Sequence, residues 1–379
     1  MLINHPKLLT NFSRSDHNTM HHPIRVSIIL VLIALLVGLN ACDDGAESLL
    51  QRAEQQLFSN PDSAQTLLDS ITLDQLDDEQ HARYGLLRTM ANDLLEVLPA
   101  TDSLIRDSYL YYKVAMEQVG EHDSNTQRRY AQTCYYLGLY YATCDSTKLC
   151  EDLMRQACKY SKTSGDLHTC YLSYNALGSL LASANPKESI ELAKTAKNIY
   201  DQCKDNDENE IILLLNIAER YMADLDYPHA LEYIEKGYAL ATERQNLKMM
   251  NNANMAFSHV YLQIAQYQKA LQHAKQGVKT ASGTALPASQ LILAMCYQYC
   301  DSIEQARQLY ETIPTDDDIY RKYNIMQQLT KLALTTHNLT MATAYCDSVF
   351  DCASSLFYHI QSTKNAYYND VIEKERRNE

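Results

Sequence analysis

The chain has 379 residues, of which 46% are hydrophobic and 21% charged, a balance typical of a folded protein rather than a disordered one. Its net charge is −14 and its Lys and Arg form no block, which argues against a nucleic-acid partner, because binding to phosphates needs clustered cations. Only 10 Gly and 8 Pro occur, so few turns and long secondary-structure elements are expected. There are 28 Tyr and no Trp, a bias that the fold has to accommodate.

An apolar run, 26–39, follows Arg25 and ends at the sequence LNAC, 39–42. At 14 residues the run is too short to span a bilayer comfortably, and it has the length of a signal-peptide core. The LNAC sequence resembles the cleavage site of bacterial lipoproteins, with an unusual asparagine at its second position. That resemblance implies a lipoprotein signal peptide over 20–41, a lipid such as palmitate on Cys42, and a membrane anchor in the bacterial cell envelope. An uncleaved short anchor is the alternative.

Residues 1–19 are polar and long for the start of a signal peptide, so translation is expected to begin at Met20, with 1–19 as a leader outside the protein. Asp43 and Asp44 follow the cysteine directly. Aspartate at this place resembles an inner-membrane retention signal of some lipoproteins, whereas acidic residues here resemble a surface-export signal of others. The periplasmic and the surface face therefore both stay open.

A pattern of apolar, small and tyrosine positions recurs in six units at steps of 40, 40, 40, 36 and 36 residues. In each unit a large apolar residue precedes a mostly small one, a mostly tyrosine position follows three later, and a mostly small residue follows nine after that. The four columns are Leu137, Leu177, Ile217, Phe257, Leu293 and Leu329; Gly138, Gly178, Ala218, Ser258, Ala294 and Thr330; Tyr141, Leu181, Tyr221, Tyr261, Tyr297 and Ala333; and Cys150, Ile190, Ala230, Ala270, Ala306 and Ala342. A loop one residue shorter in the second unit would place Ser189 in the last column.

Small residues are needed where two helices approach closely, so each unit is predicted to be a hairpin of two antiparallel helices. Large apolar residues and tyrosines fill the gaps beside the close approach. The turns carry helix-start chemistry: Asn60 and Asn185 each precede a proline, and Asp226 lies two residues before one. Ser302 with Gln305 is predicted to form a capping box.

This pattern resembles the tetratricopeptide repeat, whose leucine-glycine-x-x-tyrosine and alanine columns it reproduces. The resemblance implies an all-α, TPR-like α-solenoid of stacked antiparallel helix hairpins, with six repeats over 128–353. The tryptophan usual in the first helix is replaced by Cys134, Tyr174, Leu214, Asn254, Gln290 and Met326, and the period exceeds the usual one, which longer helices would explain. Residues 42–127 are predicted to form irregular helical hairpins, and 354–379 a capping helix or the start of a coiled coil.

No P-loop, G-x-S-x-G, H-E-x-x-H or glycine-rich dinucleotide loop occurs, so neither an enzyme nor a cofactor is expected. Cys296 and Cys300 are interpreted as small apolar core residues, not metal ligands, because no His or second Cys pair lies nearby. His259 is interpreted as a surface or groove residue, and the acidic run 316–318 as a solvated loop and helix cap.

The family resemblance also implies a concave groove lined by the first helix of each repeat. The predicted groove-lining residues are Tyr135, Leu139, Asn175, Ser179, Leu215, Glu219, Met255, His259, Leu291, Met295, Gln327 and Lys331. This mixture of apolar and polar side chains suits an extended segment or an amphipathic helix. We therefore expect a non-enzymatic protein-interaction scaffold with a protein or peptide in the groove. The alternative is an extracytoplasmic sensory input domain that binds a peptide or small ligand.

Overall fold

The computed structural model describes the following residues: 45–95, 97, 101–119, 123–143, 147–204, 207–315 and 318–378. The predicted leader, the signal peptide and Cys42 lie outside these residues. Every regular element in the described part of the chain is helical. None of these helices combines the length and the apolar character that crossing a bilayer requires.

The described residues form sixteen α-helices and one short 3₁₀ turn at Leu73–Gln75. In chain order the helices are α1 Ala46–Gln56, α2 Pro61–Asp69, α3 Asp78–Leu94, α4 Ser103–Val119, α5 Ser124–Thr143, α6 Thr147–Ser164, α7 Leu167–Leu181, α8 Pro186–Cys203, α9 Asp207–Ala223, α10 Tyr227–Glu243, α11 Leu247–Gln263, α12 Tyr267–Thr280, α13 Ala285–Tyr299, α14 Ile303–Thr312, α15 Ile319–Thr335 and α16 Leu339–Asn378. Consecutive helices pack as hairpins, and each of the six predicted repeats contains one of them, from α5/α6 to α15/α16. The predicted all-α solenoid is confirmed.

The first helices of the repeats form one side of the solenoid. α5, α7, α9, α11, α13 and α15 each contact the first helix of the neighbouring hairpin, whereas neighbouring second helices make fewer contacts in the described part of the chain. A row of helices that crowds together on one side and spreads on the other must curve toward the crowded side. The first helices therefore line the concave surface.

The close approach of two helices is clearest in the second repeat. The Oγ of Ser189 on α8 donates a hydrogen bond of 2.5 Å to the carbonyl oxygen of Gly178 on α7. A Cβ on Gly178 would lie 3.1 Å from the Ser189 carbonyl oxygen, so no larger residue fits without movement. Ser189, rather than Ile190, thus occupies the small-residue column, as the shorter loop predicts.

The helix caps follow the sequence at most of the predicted turns. The side chain of Asn60 accepts from the backbone N–H of Ser63 at 3.1 Å, and that of Asp226 from His229 at 3.2 Å. The predicted capping box at Ser302 is wrong, because this side chain makes no cap hydrogen bond. Its backbone resembles that of Asp226, which does cap its helix, so the absent bond reflects the orientation of the serine hydroxyl.

A cluster of arginines and glutamates joins α1, α3 and α5. Glu54 on α1 accepts hydrogen bonds from Arg83 on α3 at 2.8 Å and from Arg128 on α5 at 3.1 Å. Nη2 of Arg129 lies 3.7 Å from the Glu54 carboxylate, and its Nη1 donates a hydrogen bond to Glu79 on α3. Arg83 and Arg129 are buried, so their charges depend on these partners. The cluster fixes the irregular N-terminal helices onto the first repeat.

Candidate functional site

A cavity of about 330 Å³ opens on the concave surface between the first helices of the third and fourth repeats. α9 and α11 contribute equivalent positions to it, because the two helices belong to successive copies of one unit. Its lining residues are Ile212, Leu215, Asn216, Glu219, Met222, Asn252, Met255, Ala256 and His259. The floor is aliphatic and thioether carbon, and the polar side chains are two amides, one carboxylate and one imidazole.

The depth of this cavity depends on a glycine in the second helix of the hairpin. Gly237 on α10 is buried, and a Cβ built on it would lie 3.1 Å from Cδ2 of Leu215. Because that Cβ is absent, the Leu215 side chain lies down against α10. Gly277 plays the equivalent part beneath Met255, where a Cβ would lie 2.9 Å from the sulfur. The side chains of Leu215 and Met255 therefore pack against the second helices and do not fill the space between α9 and α11.

A buried cation lies beside the cavity. Arg220 is 3% exposed, and its Nη1 donates to Oε2 of Glu219 at 3.0 Å. Its Nη2 donates to the hydroxyl of Ser179 on α7, while its Nε has no hydrogen-bond partner within the described ranges. Next to this group, the amide of Asn216 donates to the side-chain oxygen of Asn175 at 3.1 Å. The groove is thus polar between α7 and α9 and apolar between α9 and α11.

His259 lies on the rim of the cavity with an exposed ring. Desolvation by the surrounding atoms lowers the pKa of His259, and the Glu219 carboxylate opposes this shift without overcoming it. The imidazole is therefore neutral at pH 7 and can accept as well as donate a hydrogen bond. In the described part of the chain no three His, Cys, Asp or Glu side chains are grouped to hold a metal ion.

The structure places the twelve predicted groove residues in different environments. Leu215, Glu219, Met255 and His259 lie together around the cavity, and Asn175 and Ser179 border it through Asn216 and Arg220. The other residues on the first helices, half-buried or exposed, lie away from this cavity: Leu139, Leu291, Met295, Gln327 and Lys331.

Tyr135 differs from the other predicted groove residues, because it is only 8% exposed. Its ring packs edge-on against Tyr136 within the N-terminal core, 5.0 Å between centroids. Burial raises the pKa of Tyr135 well above its ordinary value. The prediction that this phenol faces a ligand is therefore corrected: the N-terminal hairpins cover the position, which in later repeats is open.

Sequence reasoning missed three polar residues of the site: Asn216, Asn252 and Arg220. Asn216 and Asn252 are one and three residues from predicted positions, and a wider stripe on each helix would have included them. Arg220 is also next to a predicted position, but its repeat equivalents include Val260 and Cys296, which give no reason to expect a buried charge there. Only the packing of α9 against α7 brings its guanidinium to Ser179.

No protein-family model and no curated protein matches the chain. Among solved structures, the chain is similar to the apo form of RapI, with 13% identity and a TM-score of 0.56, over 83% of this chain and 98% of that one. It is equally similar to NprR in complex with its cognate peptide NprX, with 16% identity and a TM-score of 0.56, over 87% and 95%. A third match is the STAND protein PH0952 of Pyrococcus horikoshii, which has a tetratricopeptide repeat sensor, with 12% identity, a TM-score of 0.54, and coverage of 85% and 54%. At these identities the matches support the fold alone: the chain has the TPR-type fold.

Proposed function

We propose that the protein is a non-enzymatic scaffold that holds a segment of another protein, or a peptide, in its concave groove. The cavity between α9 and α11 carries this proposal, because four of the residues that the family resemblance predicts to line the groove surround it. A pocket of about 330 Å³ with an apolar floor and a few polar groups has the composition of a binding site. NprR, a protein of similar fold, forms a complex with its cognate peptide NprX.

We further propose that the scaffold works in the bacterial cell envelope, anchored by lipid on Cys42. This part of the proposal rests on the apolar run 26–39 and the LNAC sequence that ends it. The first described helix begins at Ala46, four residues after the proposed lipidated cysteine. Four residues span at most about 14 Å, so the anchored N-terminal hairpins would lie at the membrane surface. A Cys42→Ser variant is expected not to incorporate labelled palmitate. Incorporation of the label by this variant would contradict the proposed anchor.

A photo-crosslinking experiment tests the groove. A photoreactive amino acid at Met255 is expected to capture a partner in cells, and Ala256→Leu is expected to abolish the capture, because the added side chain fills the cavity. Ala239→Leu makes the same change on the exposed face of α10 and is the matched control. Capture that survives Ala256→Leu, or that Ala239→Leu reduces equally, would show that the groove does not hold the partner.

The alternative function is a sensory input domain. The length of α16 favours it: this helix has 40 residues, while its hairpin partner α15 has 17. The excess would continue past the hairpin and provide a rigid element through which occupancy of the groove reaches another module. Hydrogen exchange in α16 that slows when the groove is occupied would support a sensor. Exchange that is unchanged by occupancy would leave the scaffold as the better description.

A further inference from the structure

We propose that the α9–α11 cavity is specific for a segment in which a large apolar side chain lies within four residues of a lysine or arginine. The apolar side chain enters the cavity, and the cation pairs with Glu219. This inference rests on the proposed function, since it names the chemistry of the segment that the groove would hold.

The apolar half of the proposal follows from the cavity floor. The floor presents only carbon and sulfur atoms, from Ile212, Leu215, Met222 and Met255. The missing Cβ of Gly237 lets the Leu215 side chain pack against α10. The volume of about 330 Å³ is at the small end of the range for ligand pockets, which matches one large side chain rather than a whole cofactor. Two methionines make the floor adaptable, so leucine, isoleucine, methionine and phenylalanine all suit it.

The charge preference follows from the unequal exposure of one ion pair. The side chain of Glu219 is 67% exposed, whereas that of Arg220 is 3% exposed beneath it. Arg220 already directs Nη1 to Glu219 and Nη2 to Ser179. An incoming anion would therefore meet a carboxylate first and would have to separate the pair to reach the guanidinium. An incoming cation meets the outward carboxylate without breaking either bond.

The other charges near Glu219 do not reverse this preference. His259, across the cavity on α11, is neutral at pH 7 because desolvation by the atoms packed beside it lowers its pKa, so it adds no positive charge to the rim. On α7 the facing groups are the neutral side chains of Asn175 and Ser179. The net charge of −14 attracts a basic segment at long range and repels an acidic one.

Peptide display on the full chain in detergent tests the proposal without knowledge of the natural partner. Random dodecapeptides selected by binding are expected to carry a large apolar residue within four positions of lysine or arginine. For one selected peptide, Glu219→Gln is expected to weaken binding about twofold to fivefold, the size of an exposed charge contact. Glu232→Gln removes a carboxylate of similar exposure that pairs with Lys236 on α10, away from the cavity, and should leave binding unchanged.

A change in the peptide provides the same test on the unaltered protein, in case Glu219→Gln disturbs Arg220. Replacing the selected lysine or arginine by glutamine should weaken binding by the same factor, and the two changes together should cost no more than either alone. Selection of acidic peptides, or tighter binding after Glu219→Gln, would overturn the charge assignment. Selected peptides that bind equally well to the Ala256→Leu variant would instead overturn the proposed groove function itself.

Discussion

The N-terminal part of the molecule, α1 to α7, and the part that follows it use the same helix hairpins but pack them differently. Most of the buried apolar residues from Leu50 to Leu181 form one continuous cluster, reinforced by the arginines and glutamates that join α1, α3 and α5. From Ile190 onward the core is divided into smaller clusters, and the cavity opens between two first helices. Where the interface between repeats is filled, tyrosines such as Tyr135 are buried; where it is left open, a site is available.

The largest effect is expected from the ion cluster of the N-terminal part. Glu54→Ala removes the carboxylate shared by Arg83, Arg128 and Arg129, two of which are buried, and should lower the free energy of unfolding by about 2–4 kcal/mol. Urea denaturation followed by circular dichroism measures this change. Glu232→Ala, which breaks a solvent-screened pair with Lys236, should cost much less. Equal costs for the two variants would remove the distinction between the two parts.

A smaller effect is expected where α7 meets α8. Gly178→Ala gains about 1 kcal/mol of helix propensity, but its Cβ would lie 3.1 Å from the Ser189 carbonyl oxygen, and such crowding costs about 1–3 kcal/mol. We expect net destabilisation of about 1 kcal/mol in the same denaturation experiment. Ala239→Gly on the exposed face of α10 calibrates the propensity contribution in this protein. Stabilisation by Gly178→Ala would show that the helices are not in close contact there.

The smallest effect concerns the rim of the cavity. In NMR titrations the pKa of His259 is expected to lie below its ordinary value, because desolvation penalises the imidazolium. The unfolded chain then binds more protons than the folded one, so this histidine's contribution to stability is complete above the ordinary pKa and is lost as the pH falls through the lowered one. Glu219→Gln should lower the pKa of His259 further. A pKa above the ordinary value would mean that the Glu219 carboxylate outweighs desolvation, and that the rim is more open to water than in this structure.

The comparison also explains which features could be predicted from the sequence. The helix hairpins, the close contact at Ser189 and the positions of Leu215 and Met255 all follow from one spacing repeated along the chain. Contacts between residues outside the repeated positions could not be predicted. The bond from Arg128 to Glu54 joins residues 74 positions apart, and neither belongs to a repeated column.

The same limit applies at single positions of the site. Tyr135 occupies the same repeat position as Leu215 and Met255, and only the N-terminal hairpins, which have no repeat pattern, decide that it is covered. Arg220 is a charged residue in a column that is otherwise mostly apolar, and its partner Ser179 comes from a different repeat. The failed cap at Ser302 depends on a side-chain orientation that residue type alone does not reveal.

Contacts in the later part of the chain lie within one hairpin or between neighbouring hairpins. A slight rotation at each junction therefore accumulates from one hairpin to the next, so small shifts in the cores that join neighbouring hairpins change the bend of the whole rod. Because the cavity lies across one such junction, between α9 and α11, its width is coupled to that bend. In the proposed function, a thick and a thin segment would then be accommodated by different bends of the rod.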